Sequence, residues 1–497
     1  MSDPVHCQTP KRHFFAMSLV AACALAACGS IPPEKKYERP ALDVPAALSP
    51  GMAGARTAAS ATSTDWLAWW KAFQDPVLDA LLAEAASNSQ DLALATARIA
   101  EARATLDQNQ SNFYPSVDLN ASATRRRSSE NSSTFNPVAG ADARDRQFGL
   151  SASYEFDFWG KYARADDAAR ARLLSQAASR GTVLTTLHAN VAQGYFALRA
   201  LDAQQVLAEQ TLATRLENLR LQRRRLEGGV VGELDVRQAE SEAASVQATL
   251  QLTQQNRSNA ESALAVLLGR KPSGIFRPVL ARGSTVSALI STVAIPADLP
   301  SDVLARRPDF VSAEQNLIAA NADIGQARTA FFPRLSLTAG LGLQSKDLSS
   351  LFDPASLFWN LVSNLTQPVF RAGAIGAVVA AANAREQQAL AQYTQTVQNA
   401  FRDVHDALNN VAAGRDITAT TSRRIDALRS TLRLADLRYK NGYSSYLEVL
   451  NAQRDLAQAE SGLIDIQRSQ LNAVVSLYKA LGGGWDAGAL VGQAAKP

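Results

Sequence analysis

The most reactive side chains of this sequence are its cysteines, Cys7, Cys23 and Cys28, and all three lie near the N-terminus. Basic residues followed by an apolar run over 14–27 are typical of a secretion signal. The residues at 25–28, Leu-Ala-Ala-Cys, resemble a lipobox, the motif in which a cysteine receives lipid once the signal is removed. We therefore predict a signal peptide over 1–27 and a covalent lipid on Cys28, with no other cofactor.

Two alternatives to lipidation at Cys28 stay open. Cys23 is a weaker candidate for the lipid, and the segment could be an ordinary signal peptide with a chance cysteine. If Cys28 begins the mature chain, one lipid-bearing cysteine remains, which excludes disulfides, thiol catalysis and cysteine-based metal sites. Gly29 follows it, rather than the Asp that commonly retains such lipoproteins in the inner membrane. An outer membrane location is therefore expected.

The other side chains offer little chemistry. His188 and His405 remain after the signal peptide, and each is expected to be an ordinary helix residue rather than a metal ligand. The glycines within 228–232 resemble a phosphate-binding loop only loosely, because they follow a helix rather than a strand. The net charge of +4 comes without a large basic cluster, so nucleic-acid binding is unsupported. We predict no enzyme activity and no metal site.

The sequence contains the same block twice. Pro115 matches Pro333 at a spacing of 218 residues, and Gly229 matches Gly442 at a spacing of 213. So small a change in spacing means few insertions, and the two copies should share one topology. The predicted divisions are a lipidated tether over 28–64, a first repeat over 65–298, a second repeat over 299–484 and a tail over 485–497.

Each copy contains an alternating, strand-like stretch after an aromatic-proline stop. The alternation predicts one β-hairpin over 116–157 and another over 335–369. Aromatic residues lie at or near the strand ends, where a membrane-interface belt would place them: Phe113, Tyr114, Trp159, Phe331, Phe332, Phe358 and Trp359. A mature chain that crosses a membrane with these segments needs a closed β-barrel. Four strands cannot close one, since the smallest bacterial barrels have about 8, so several chains must contribute.

Long helical patterns follow each strand hairpin. They predict helical hairpins over 161–268 and 372–482, with the three-four apolar spacing of coiled coils. Gly229 and Gly442 fall where the first helix of each pair should end, which suits a left-handed C-cap. The predicted fold class is therefore mostly α, with one shorter helix before each strand hairpin and a β-barrel part.

Three motifs resemble the outer membrane factor family, the TolC type, in its OprM/NodT lipoprotein branch. They are WWKAFQDPVL at 69–78, LPSDVLARRPD at 299–309 and YKNGYSSYLEVLNAQ at 439–453. The resemblance implies a homotrimer with a 12-stranded outer membrane barrel, shared by three chains of four strands, and a periplasmic α-helical tunnel. It also implies a periplasmic adaptor and an inner membrane pump, typically of the resistance-nodulation-division kind, as partners. The chain would be a passive, gated duct that exports small molecules such as drugs and toxic compounds.

The resemblance places gating and adaptor docking at the two glycine turns. The expected docking residues are Arg225, Gly229, Arg438, Gly442 and Tyr446, and the expected gate residues are Leu447, Glu448, Asn451, Leu234 and Asp235. Family members narrow through a hydrophobic ring and an acidic ring, at the positions of Leu447 and Asn451. Because Asn451 stands where an Asp is expected, a weaker cation filter is implied unless Glu448 faces the lumen.

Two other functions stay open at this point. The channel could serve type I protein secretion rather than a small-molecule pump. Alternatively, the chain could be a lipid-anchored coiled-coil scaffold that spans the periplasm without conducting, although the strand hairpins argue against that. A periplasmic hydrolase is the least supported function. It would need clustered carboxylates or a Ser/His/Asp set, and the sequence has few histidines and no compact domain.

Overall fold

A computed structural model describes residues 37–41, 66–133, 135–138, 140–292 and 301–486. The predicted signal peptide and lipid acceptor Cys28 lie outside these residues, as do most of the tether and most of the C-terminal tail. By its internal contacts the chain divides into two units. Of the described residues, the first contains Arg103–Arg172 and Leu317–Ala389, and the second contains 66–102, 173–316 and 390–486.

The first unit is built on one four-stranded antiparallel sheet in the order β1-β2-β3-β4. The strands are β1 (Ser116–Arg127), β2 (Asp142–Phe156), β3 (Arg334–Ser345) and β4 (Leu357–Thr366). They form where the alternating patterns predict them, although the second hairpin ends at Thr366, short of 369. β2 and β3 pair in register, with Leu150 opposite Leu341, so strands from the two repeats form a single sheet.

Two pairs of long helices follow the strand hairpins. The helices are α3 (Lys161–Glu227) with α4 (Glu233–Leu267), and α8 (Ala374–Lys440) with α9 (Tyr446–Ala480). Between them the chain forms two short helices, α5 (Pro272–Phe276) and α6 (Val286–Thr292), and then the longer α7 (Pro308–Arg328).

The helix predicted before the first hairpin is interrupted. It forms as α1 (Pro76–Asn88) and α2 (Gln90–Ser111), separated by Ser89 in an extended conformation. The amide of Ser89 donates to the carbonyl of Ala85, and the amide of Leu92 donates to Oγ of Ser89. Ser89 thus ends one helix and caps the next, because its hydroxyl competes with the helical backbone.

Asp75 ties the start of the second unit to distant parts of the same unit. Its buried carboxylate accepts from the amide of Val77 at 2.9 Å, which caps α1. It also accepts from the hydroxyl of Tyr195 at 2.8 Å and from the amide of Ser284 at 3.0 Å. One carboxylate therefore satisfies donors from three segments that are far apart in sequence, and burial raises the pKa of Tyr195.

The main core of the second unit surrounds these contacts. Trp69 and Phe73, from the 3₁₀ helix Trp66–Phe73, are buried, and Trp69 stacks on Tyr478 with ring centroids 5.4 Å apart. Close to this core, Arg307 of the second repeat's opening motif is buried. It forms a two-pronged ion pair with Asp309 and donates to the carbonyl of Ala480 at 2.9 Å. Trp69, Phe73 and Arg307, which belong to the two sequence signatures, are thus packing residues.

Among the described residues, no helix has both the length and the apolarity needed to cross a membrane. No group of His, Cys, Asp or Glu side chains in the same part of the chain is arranged to hold a metal ion.

The buried His188 makes stability depend on pH. Burial beside Trp70 lowers the pKa of His188 to about 4, below the value of 6.5 of a free histidine. As pH falls from about 6.5, the unfolded chain binds a proton that the folded chain refuses, so stability is lost. We expect a loss of about 3 kcal/mol between pH 6.5 and 4 from this group.

The measurement is the guanidinium unfolding midpoint in detergent across that pH range. His188→Gln should flatten the acid loss, even if it lowers stability at neutral pH. The matched control is His405→Gln, an exposed histidine in α8, which should leave the pH dependence unchanged. Equal pH slopes for wild type and His188→Gln would contradict the assignment.

Candidate functional site at the glycine turns

Both long helices end in the same hydrogen-bonded turn. Gly229 and Gly442 have φ values of 68° and 77°, in the left-handed region that a side chain disfavours. The amide of Val230 donates to the carbonyl of Arg225, and that of Tyr443 to the carbonyl of Arg438, each at 2.8 Å. These bonds define a Schellman cap, so the predicted left-handed caps are confirmed. We call residues 228–232 and 441–445 the glycine turns.

The two helical hairpins pack against each other beside the glycine turns. Each hairpin contributes small or branched apolar residues to a buried cluster: Leu219, Val236, Ala239 and Ala243 from the first, and Ala435, Tyr446, Val449 and Ala452 from the second. Tyr446 is its largest member and is only 3% exposed. It was expected at a docking surface, but its burial makes it a packing residue of the turn region. Burial also raises its pKa.

A polar contact joins the hairpins next to this cluster. The hydroxyl of Tyr439 lies 3.0 Å from Nε2 and 3.1 Å from Oε1 of the buried Gln222. The guanidinium of Arg225 lies 5.1 Å above the Tyr439 ring, within the range of a cation–π contact. The Tyr439 ring in turn contacts that of Tyr446, with centroids 5.6 Å apart. Side chains from both hairpins thus converge on Tyr439.

Sequence reasoning missed Gln222 and Tyr439 as a pair. At the repeat spacing of 213, Gln222 corresponds to Ala435 and Tyr439 to Leu226. Each of these polar residues therefore aligns with an apolar residue in the other copy of the repeat. This difference in polarity between the two copies was the signal that the sequence offered. It marks a contact that the two hairpins make with residues that are not equivalent.

The two arginines predicted for docking have different surroundings. Arg225 is half-buried over Tyr439, whereas Arg438 is exposed and its Nη1 lies 3.7 Å from Oε1 of Glu448. An exposed pair of this length contributes little, about 0–1 kcal/mol. Arg438 and Glu448 therefore remain accessible to a partner, while Arg225 already has one within the chain.

The predicted gate residues lie on the surface of the chain. Leu234 is 69% exposed and Leu447 is 46% exposed, at equivalent positions one residue into α4 and α9. Asn451 is also exposed, and Asp235 is half-buried. Leu234 and Leu447 are thus exposed apolar side chains beside the two glycine turns, and each could contact another copy of the chain or line the interior of an assembly.

A buried charge cluster lies farther along the same helices. Arg215 and Glu242 are both buried, and Glu242 forms an ion pair with Arg454 of α9. Burial lowers the pKa of Arg215, while the nearby Glu242 opposes that shift. The three side chains line a polar cavity of about 760 Å³ between α3, α4 and α9. The sequence patterns did not indicate this cluster.

A family model for outer membrane efflux proteins matches residues 81–270 and 299–483, which is most of the chain and coincides with its two repeats. The chain belongs to the outer membrane efflux protein family. Two relatives of this family span nearly its whole length. Cation efflux system protein CusC of Escherichia coli O6:H1 is 35% identical over 94% of this chain and 97% of its own. Toluene efflux pump outer membrane protein TtgI of Pseudomonas putida is 34% identical over 95% of this chain and 99% of its own.

A solved structure of this efflux family has the same fold. The crystal structure of CusC superposes with a TM-score of 0.79 at 34% identity, over 90% of this chain and 99% of that chain. The predicted TolC-like fold, the outer membrane location and the role as the outer membrane channel of an efflux system are therefore confirmed. The family membership favours efflux over the protein-secretion and scaffold alternatives.

The Tyr439 contact should hold the two hairpins of this efflux protein together. Tyr439→Phe removes the hydroxyl and leaves the buried amide of Gln222 without that partner, at a cost of about 1–2 kcal/mol. We expect amide hydrogen exchange within 219–243 and 435–452 to accelerate by roughly tenfold, which mass spectrometry of peptides would measure.

The matched control is Tyr443→Phe, the same change on an exposed ring of the second glycine turn. Its exchange should equal that of wild type. Unchanged exchange in Tyr439→Phe would show that the hydroxyl does not join the hairpins.

Proposed function

We propose that three copies of this chain form a passive, gated duct through the outer membrane. The observation that supports it best is the strand order: β1 and β4 are the two edges of an antiparallel sheet. An edge strand carries backbone donors and acceptors that must be paired inside a lipid bilayer. Pairing β4 of one copy with β1 of the next satisfies both edges, and three copies give twelve strands, above the minimum of about 8 for a closed barrel.

The glycine turns would form the gate of this trimer. In a threefold assembly the exposed Leu234 and Leu447 each become a ring of three apolar side chains, and such a constriction resists the passage of water and ions. Asn451 would give a neutral ring instead of an acidic one. The carboxylate of Glu448 is already close to Arg438, so it offers a weakened negative charge. We propose a gate that restricts by size and apolarity more than by charge.

The partners proposed for the duct are a periplasmic adaptor and an inner membrane pump of the resistance-nodulation-division type. In the second repeat, the best surface for adaptor docking would be the exposed Arg438 with the glycine turn that contains Gly442. In the first repeat it would be the glycine turn that contains Gly229. Arg225 and Tyr446 would not contact the adaptor directly. They would hold the two hairpins in position through their contacts with Tyr439. Energy would be spent at the pump, so the chain itself would catalyse no reaction.

We propose small organic molecules as the exported substrates. CusC is named for cations and TtgI for toluene, and their identities to this chain, 35% and 34%, do not separate the two. Soft metal cations favour thiolate and thioether ligands. The sequence has its three Met and three Cys at or before residue 52, and only two His beyond that point. The duct wall would therefore offer almost no soft ligand to a cation.

The trimer and its lipid are tested together by native mass spectrometry of protein extracted from outer membranes in mild detergent. We expect a trimer whose subunits begin at Cys28 and carry acyl mass. Cys28→Ser should abolish the acyl mass, and Cys23→Ser should leave it intact. An unlipidated monomer would overturn the shared barrel.

The gate is tested by truncating the side chain at position 447, which forms one of the proposed apolar rings. Leu447→Ala should raise the conductance of the channel in planar bilayers and the leak of large polar antibiotics in cells, because the constriction widens and becomes less apolar. Leu252→Ala, the same truncation at an exposed site in α4, is the control and should conduct as wild type does. No change in either readout would remove Leu447 from the gate.

A further inference from the structure

A second cavity, of about 640 Å³, lies where the sheet of the first unit meets its helices. It is bounded by the start of β3, the segment after β4, α7, and the first turns of α3 and α8. Its walls contain one carboxylate and five cationic side chains: Asp323, with Lys161, Arg172, Arg334, Arg371 and Arg385.

The carboxylates near this cavity do not balance its cations. Arg172 forms an ion pair with Asp323, and Lys161 donates to Glu155 at 3.0 Å. Arg385 is close enough to favour the charged form of Asp323, so this one carboxylate serves two arginines. Within the described residues, the side chains of Arg334 and Arg371 make neither a hydrogen bond nor an ion pair. The cavity therefore has a net positive charge and two guanidinium groups available to an anion.

The backbone adds to this positive charge. Ala374 and Ile375 line the cavity, and they begin the 67-residue helix α8. The N-terminus of a helix carries about half a positive charge. Just before it, Ala372 has φ 46°, an uncommon conformation for a residue with a side chain, and Gly373 has φ 82°. This sharp turn brings Arg371 and the first residues of α8 to the same cavity, and backbone strain of this kind often accompanies a binding site.

Apolar residues beside the cavity place it at a membrane surface. Val369 and Phe370 are 94% and 85% exposed, directly before Arg371. Trp159 stacks on Phe332 with centroids 4.6 Å apart, and its indole donates to the carbonyl of Pro333, the residue before Arg334. In membrane proteins, aromatic residues at strand ends mark the boundary between hydrocarbon and headgroups. Both unpaired arginines thus lie next to such residues, at the level where lipid phosphates are found.

We propose that this cavity binds the phosphate of an anionic phospholipid, with Arg334 and Arg371 as its principal contacts. A planar guanidinium can donate two hydrogen bonds to phosphate oxygens, and two such groups can hold one headgroup from both sides. The exposed Val369 and Phe370 would lie against the acyl chains. The site requires the outer membrane location of the chain but no pump, adaptor or exported substrate.

The experiment is native mass spectrometry of the full-length protein in detergent, titrated with phosphatidylglycerol and, in parallel, with phosphatidylethanolamine. We expect wild type to retain phosphatidylglycerol preferentially. The double variant Arg334→Gln/Arg371→Gln should lower the affinity for phosphatidylglycerol by roughly tenfold or more, since two cation contacts are lost. The charge-preserving double variant Arg334→Lys/Arg371→Lys should have an affinity between those of wild type and the glutamine variant, because it keeps both charges and loses the paired hydrogen bonds of the guanidinium groups.

The matched control is Arg125→Gln/Arg126→Gln, which removes the same charge from exposed residues at the opposite end of β1. It should bind as wild type does. Equal affinities for the two lipids, or a double variant that binds like this control, would overturn the proposal. Full displacement of phosphatidylglycerol by inorganic phosphate would assign the cavity to a free anion instead of a lipid.

Folding and function are monitored separately. The mass of the assembly in the same spectrum shows whether each variant assembles as wild type does. If the double variant does not assemble, Arg371→Gln, an exposed residue outside the strands, should still lower the affinity by roughly threefold. Because the readout is bound lipid, a failure of this proposal leaves the proposed channel function untouched, and the reverse holds as well.

Discussion

The left-handed glycine caps are the constraint on which the two long helical hairpins of this molecule depend. A 67-residue helix has no internal reason to stop, and α3 and α8 end where Gly229 and Gly442 adopt positive φ values. The reversal sets the register between each long helix and its return helix, since only five residues separate them. That register places Leu219 and Val236 of the first hairpin, and Ala435 and Val449 of the second, in one buried cluster. A side chain at either glycine would strain the cap and disturb the packing beyond it.

The two repeats share one architecture, and a polar contact between their hairpins comes from a difference between them. Equivalent positions form equivalent caps and place Leu234 and Leu447 alike on the surface. The polar contact between the hairpins arises where the copies differ, at Gln222 and Tyr439. Two identical apolar faces would pack with no preferred register, whereas an amide facing a phenol must find its partner or lose hydrogen bonds. The polar asymmetry therefore specifies how one hairpin lies against the other.

The sequence predicted those features that depend on local pattern. Alternation located the strands to within a few residues, and glycine spacing located both caps, because backbone geometry at these places is decided by neighbouring residues. Ser89 interrupts a helix that the apolar pattern continues through, since a single hydroxyl competes with the backbone there. Contacts between distant segments were not predicted: Tyr446 packs with residues more than 200 positions away, and the cavity with Arg334 and Arg371 draws on three separate stretches of sequence. Local periodicity does not show which polar residues from distant parts of the sequence the fold brings together.

A gated duct needs a closed state that is stable yet easily left, and the contacts at the glycine turns are suited to that. The Tyr439 hydroxyl contact contributes about 1 kcal/mol, and the cation–π contact of Arg225 about 1 kcal/mol more. The exposed pair of Arg438 and Glu448 adds less than about 1 kcal/mol. A sum of about 2–3 kcal/mol for each chain is small enough for the binding of a partner to offset. In a trimer three such sets would act together, so the closed state would be well populated while each set remained breakable. The apolar cluster around Tyr446 is less easily separated. In the proposed gate, opening would therefore move the hairpins at their polar margin and leave their packed interior together.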